Sequence, residues 1–150
     1  MNMSERIFPA LADALRRLKT AERTETELRS ALAGKHKEAE IEAAIAWLTT
    51  RNLFSEERAA QATVRPRIKG RRAEGDQKLR ERLERRGATP EAVDAALAEA
   101  PSEPERMQDA LASRFKPEKD QRAKAGRFLF SRGFDEDAVE AALGRFFGEG

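Results

Sequence analysis

The chain has 150 residues, 39% of them hydrophobic and 37% charged, a balance that allows a core but keeps it thin relative to the surface. Its formal net charge is only +2, and without cysteine it builds neither a disulfide framework nor a thiolate nucleophile or metal site. No stretch approaches the roughly 20 apolar residues a membrane helix needs. Charges interrupt the N-terminal "MNMSERIFPALADALRRLKT", so no signal peptide is expected either, and a soluble cytoplasmic protein is the expectation.

Helical spacing dominates from the start. Leu11, Leu15 and Leu18 share one face of a first segment. Thr24 with Glu27 forms a candidate capping box, followed by Leu28 and Leu32 and by Gly34 as a stop. Ile41, Ile45 and Leu48 give the next stripe, with Trp47 beside it, and Ser55 is a further N-cap candidate. Pro66 removes a backbone donor late in the Ser55–Lys69 stretch, so that helix is expected to stop or kink near Val64. Arg67–Gly75 then reads as a mobile connection, closed around Gly70. Leu79 and Leu83 start another apolar stripe that ends at Gly87. Thr89 before Pro90 marks a new start, Ser102 with Glu105 a second capping box, and Asp135 a last N-cap after Gly133. Pro101, Pro104 and Pro117 punctuate the remaining junctions, and Val139, Leu143 and Phe146 form the final stripe. Strand-like alternation is absent, and the expected class is all-α.

One phrase is written twice. "RGATPEAVDAAL" from Arg86 recurs as "RGFDEDAVEAAL" from Arg132, so Gly87, Val93 and Leu97 match Gly133, Val139 and Leu143, and Leu83 matches Leu129 at the same spacing. A weaker copy, "EIEAAI" at Glu40–Ile45, follows Leu28 and Leu32. The pattern implies three tandem three-helix repeats at 4–53, 54–100 and 101–150. A single such unit cannot bury its apolar stripe alone, so the repeats are expected to stack into an elongated, curved body.

Catalytic chemistry is not signalled. His36 is the only histidine and reads as a loop residue, without the companions a metal site or general base needs. No glycine-rich phosphate loop is present. The acid pairs Glu56–Glu57 and Glu136–Asp137 fall in first helical turns, where they complement the helix dipole. Neither an enzyme nor a cofactor or metal is expected. Phe128, Phe134, Phe146 and Phe147 read as core, and only Phe128 and Phe130 lie near basic residues, Arg127 and Arg132.

Charge is distributed unevenly. Arg65–Arg86 holds ten basic residues against four acids. Within it "LRERLERR" turns Leu79 and Leu83 inward and gathers Arg82, Arg85 and Arg86 on another side, with Lys78 one turn below. Guanidinium groups of fixed geometry suit phosphates or carboxylates. The candidate contact residues are Arg65, Arg67, Lys69, Arg71, Arg72, Lys78, Arg82, Arg85 and Arg86, with Arg127 and Arg132 as secondary ones.

These residues resemble the RecX family, regulators of the RecA recombinase. The likeness rests on "GRFLFSRGFDEDAVEAAL" at Gly126–Leu143, "LERRGATPEAVDAAL" at Leu83–Leu97, "TETELRSAL" at Thr24–Leu32 and "LFSEERAAQ" at Leu53–Gln61. The chain departs from the family pattern at Ala59, where an aromatic is usual, and at "GRRAEGD" (Gly70–Asp76), where a Gly-x-Gly-Pro turn is usual. The resemblance implies three three-helix repeats and a non-enzymatic modulator that lies in the groove of the RecA–DNA filament and inhibits ATP hydrolysis and strand exchange, in DNA repair and the SOS response. Its partners would be the RecA filament and DNA, bound weakly alone, with no membrane; the chain itself would be a monomer. A stand-alone helical nucleic-acid-binding protein is the alternative, since two helices of each repeat resemble a helix-turn-helix.

Overall fold

The computed structural model describes residues 3–149, with side chains from Ile7 onward. Gly150, the edge of the third expected repeat, lies outside the described residues. Nine α-helices occur among them: α1 (Met3–Thr20), α2 (Glu25–Leu32), α3 (Glu38–Thr50), α4 (Glu56–Val64), α5 (Asp76–Arg85), α6 (Pro90–Glu99), α7 (Glu103–Arg114), α8 (Arg122–Ser131) and α9 (Glu136–Phe146). The described residues contain no strand, and the fold is all-α, as the spacing requires. Close contacts divide the chain into two units: residues up to Ala62 with Leu83–Val93, and Thr63–Arg82 with the chain from Asp94 onward.

In the first unit α1 packs on α2 and α3. Its core holds Ala14, Leu28, Leu32, Ile41, Ile45, Leu48 and Phe54, with Leu11, Leu18 and Trp47 against it. Leu15 does not join the expected stripe; it is 38% exposed, while Ile7, Ala10 and Ala14 supply the buried face of α1. The leucine spacing alone did not weigh the small residues, which let a helix approach its neighbour closely. Thr24 caps α2 as expected: its Oγ1 accepts from the Glu27 N–H at 3.1 Å, and Glu27 Oε1 accepts from the Thr24 N–H at 2.9 Å.

The same unit contains the turn that closes α5. Gly87 has φ of +78°, and a Cβ there would lie 2.6 Å from the Thr26 Cβ. Thr24 Oγ1 donates to the Arg86 carbonyl at 2.7 Å and Thr26 Oγ1 to the Gly87 carbonyl at 3.1 Å. The start of α2 is thus seated directly on the backbone of that turn.

The second unit is organised around Met107, Leu111, Phe115, Ala125, Phe128, Leu129, Phe134, Val139 and Leu143. Phe115 and Phe128 meet edge to face, their centroids 5.7 Å apart. Phe128 and Phe134 are core residues, as read from the sequence, whereas Phe130 is 53% exposed.

Helix α4 stops at Val64, and Pro66 lies in a 3-10 turn, Arg65–Arg67. Arg67–Gly75 is not the mobile connection expected. A second 3-10 turn spans Gly70–Arg72, the Gly70 N–H donates to Asp109 at 2.6 Å, and the Glu74 N–H donates to the Arg67 carbonyl at 3.0 Å. Ala73 and Glu74 are buried. Long-range hydrogen bonds order a segment whose glycines and charges looked loose.

Candidate functional site

Two basic grooves open on the second unit. The larger, about 530 Å³, is lined by Lys78 from α5, Arg114 at the end of α7, Lys124, Arg127, Phe128 and Ser131 from α8, and Arg132. The smaller, about 290 Å³, is lined by Pro66, Arg67, Arg72, Glu74, Arg82 and Arg132. Arg132 belongs to both. The structure therefore brings Arg67, Arg72, Lys78, Arg82, Arg127 and Arg132 of the expected set to these grooves.

The two differ in how their cations are held. Glu74 is 2% exposed, and its two carboxylate oxygens accept from Arg82 Nε and Nη2, each at 2.8 Å. This fork-to-fork pair keeps the Arg82 guanidinium more firmly protonated than usual, the bond to Glu74 outweighing burial. Arg67 Nε lies 3.8 Å from the same carboxylate. The Glu74 carbonyl in turn accepts from Arg106 Nη1 at 2.7 Å. Arg106 is a fully buried arginine whose other donors go to the Pro101 carbonyl at 2.9 Å and to Asp76.

In the larger groove the partners are neutral. Arg114 and Arg132 lie over the Phe128 ring at 4.6 and 5.0 Å, and Lys78 Nζ donates to the Ser131 carbonyl at 3.2 Å. No acid lines this groove.

The remaining expected contacts lie elsewhere. Arg86, in the first unit, donates to Glu27 from Nη2 at 2.7 Å and Nε at 3.1 Å and to the Glu22 carbonyl at 3.0 Å. Of the three arginines that helical spacing grouped, Arg82 and Arg86 are each held by an internal carboxylate, Glu74 and Glu27 respectively, and Arg85 is exposed. Arg65, Lys69, Arg71 and Arg85 are exposed and line neither groove. Sequence reasoning missed Arg114 and Lys124. Their only signals were the position of Arg114 beside Phe115 and of Lys124 one turn before Arg127 in a helix without acids.

Other chemistry is structural. His36 stands in the turn before α3, its Nε2 3.0 Å from Asp13 Oδ2. Burial pushes the Asp13 carboxyl up, but His36, Arg16 and Arg17 outweigh it and hold it below its usual range. In a first-unit pocket Glu56 accepts from the Glu25 N–H at 2.8 Å and the Thr89 N–H at 3.1 Å, holding two helix starts. Among the described residues no cluster of three metal-ligating side chains occurs, and no helix is long and apolar enough to cross a membrane.

No protein-family model matches the chain. Relatives named Regulatory protein RecX do align with it. That of Chromohalobacter salexigens is 39% identical over 136 residues, 87% of this chain and 88% of its own length. The chain belongs to the RecX family. A RecX protein of Thermus thermophilus is 39% identical, covering 83% of each chain, and that of Cronobacter sakazakii 31%, covering 89% of each. The crystal structure of RecX from Lactobacillus salivarius shares the fold, with a TM-score of 0.75 at 20% identity over 95% of this chain and 97% of that one.

Proposed function

We propose that this RecX-family chain regulates the RecA recombinase, binding in the groove of the RecA–DNA filament and restraining ATP hydrolysis and strand exchange during DNA repair. The carrying observation is the 31–39% identity to RecX proteins across more than four fifths of the chain. The basic grooves support it, since a filament offers DNA phosphate and acidic protein. In this proposal the chain is a cytoplasmic, non-enzymatic monomer of three tandem three-helix repeats. The proposed contact residues are Arg65, Arg67, Lys69, Arg71, Arg72, Lys78, Arg85, Arg127 and Arg132, with Arg82 and Arg86 contributing positive charge while their guanidinium forks stay on Glu74 and Glu27.

The test is a titration of purified chain into RecA assembled on single-stranded DNA. ATP hydrolysis and strand exchange are expected to fall as the chain approaches parity with RecA. If both rates hold at excess chain, the proposal is wrong.

A further inference from the structure

We infer that the acid-free groove of the second unit seats the phosphodiester backbone of a nucleic acid, and that Arg114 and Lys124 belong to this seat with Lys78, Arg127 and Arg132. The inference rests on the regulator reading and deepens it, naming DNA phosphate rather than acidic protein as what this face meets.

The chain carries 29 basic residues against 27 acids, so a typical patch of its surface mixes signs. The larger groove has five cations and no acid. Helix α8 shows how this arises. Its three basic residues are Arg122, Lys124 and Arg127, and it has no acid. Arg122 turns to Glu140 at 3.1 Å and Glu149 at 2.5 Å, while Lys124 and Arg127 line the groove.

Three of the five cations are positioned without being neutralised. The Phe128 ring supports two guanidinium groups on its π-system, and a carbonyl holds the Lys78 ammonium. Ordering of this kind lowers the entropy lost when a ligand arrives and leaves the full charge available. Arg82 and Arg86 are the opposite case, each spent largely on an internal carboxylate.

The chemistry selects the ligand. A nucleic-acid backbone repeats a single sign of charge, and each diester presents paired oxygens to a guanidinium fork. Protein surfaces intersperse both signs, and a face complementary to one carries acids among its cations. This groove carries none.

The experiment measures binding of the full chain, alone, to a fluorescently labelled single-stranded oligonucleotide across a salt series. The double variant Lys124→Ala/Arg127→Ala changes two groove-lining side chains outside the core and is expected to keep the parent's melting temperature. Its plot of log affinity against log salt is expected to be shallower by about 1.4, two phosphates' worth for a single strand, with affinity at low salt reduced on the order of tenfold or more. The swap Lys124→Arg/Arg127→Lys is expected to keep the parent's slope. Arg122→Ala, whose charge is held by Glu140 and Glu149, is expected to leave it nearly unchanged. The inference is overturned if the parent does not bind the oligonucleotide, or if parent and double variant bind alike. It is equally overturned if the double variant binds DNA normally but no longer engages RecA, which would assign the groove to acidic protein. Because no RecA is present in the oligonucleotide assay, a chain that binds through this groove yet leaves RecA's ATPase untouched would sink the regulator reading alone.

Discussion

Gly75 and Gly133 meet backbone to backbone: a Cβ on Gly75 would lie 2.2 Å from the Gly133 carbonyl oxygen, and the Gly75 N–H donates to the Arg132 carbonyl at 2.8 Å. Gly133 itself has φ of +81°, and a Cβ there would lie 2.6 Å from the Lys78 Cβ. In the first unit the start of α2 rests in the same way on Arg86 and Gly87. The repeated Arg-Gly phrase therefore marks two turns that each receive the beginning of an earlier helix. Only a residue without a side chain permits that approach.

Substitutions at these turns separate the two costs. Gly34→Ala meets nothing within 4 Å, so only the left-handed backbone, about 1–2 kcal/mol, opposes it. Gly133→Ala adds a clash with Lys78 and is expected to be more destabilising. Gly75→Ala strikes backbone, which cannot move aside as a side chain can, and is expected to shift the urea midpoint most of the three. Equal midpoints for all three would refute close helix-on-turn packing.

The Glu74–Arg82 pair gives an asymmetric prediction. Removing Arg82 leaves a carboxylate that is 2% exposed with only the more distant Arg67, 3.8 Å away, whereas removing Glu74 frees a guanidinium whose side chain is already 32% exposed and can turn to water. Arg82→Ala is expected to cost about 3 kcal/mol and Glu74→Ala about 1–2 kcal/mol in chemical denaturation. The reverse order would mean that Glu74 is not the buried member that matters.

Much of the fold was legible because its signals are local. The Thr24–Glu27 box, the stop at Pro66 and the glycine turns each lie within a helical turn of the residues they control. What escaped is long-range. Gly70 finds Asp109 39 residues away, so Arg67–Gly75 looked loose when it is ordered. Arg86 finds Glu27 59 residues away, so helical spacing suggested free arginines where internal carboxylates in fact hold Arg82 and Arg86. The groove collects cations from α5, α7 and α8, and no linear run of charge reveals such a site.

Acid should weaken the first unit through Glu27. Burial pushes its carboxyl up, but Arg86 and the Thr24 N–H outweigh that and hold it below the ordinary 4.5. A lowered folded value means the unfolded chain takes up its proton at higher pH. The pair's contribution is therefore complete above the ordinary value and is lost as pH falls through the folded one. Glu27→Gln is expected to lower stability at neutral pH and to flatten the loss between about pH 5 and 3, as followed by urea midpoints; Asp13, also lowered, keeps part of the slope. An unaltered pH profile would show that the Arg86 contact carries no stability.

Co-sedimentation with RecA assembled on DNA bears most directly on the regulator proposal. The chain is expected to pellet with the filaments at a saturable ratio and to remain in the supernatant when RecA is omitted. A chain left in the supernatant at every filament concentration would rule out filament binding, whatever its family.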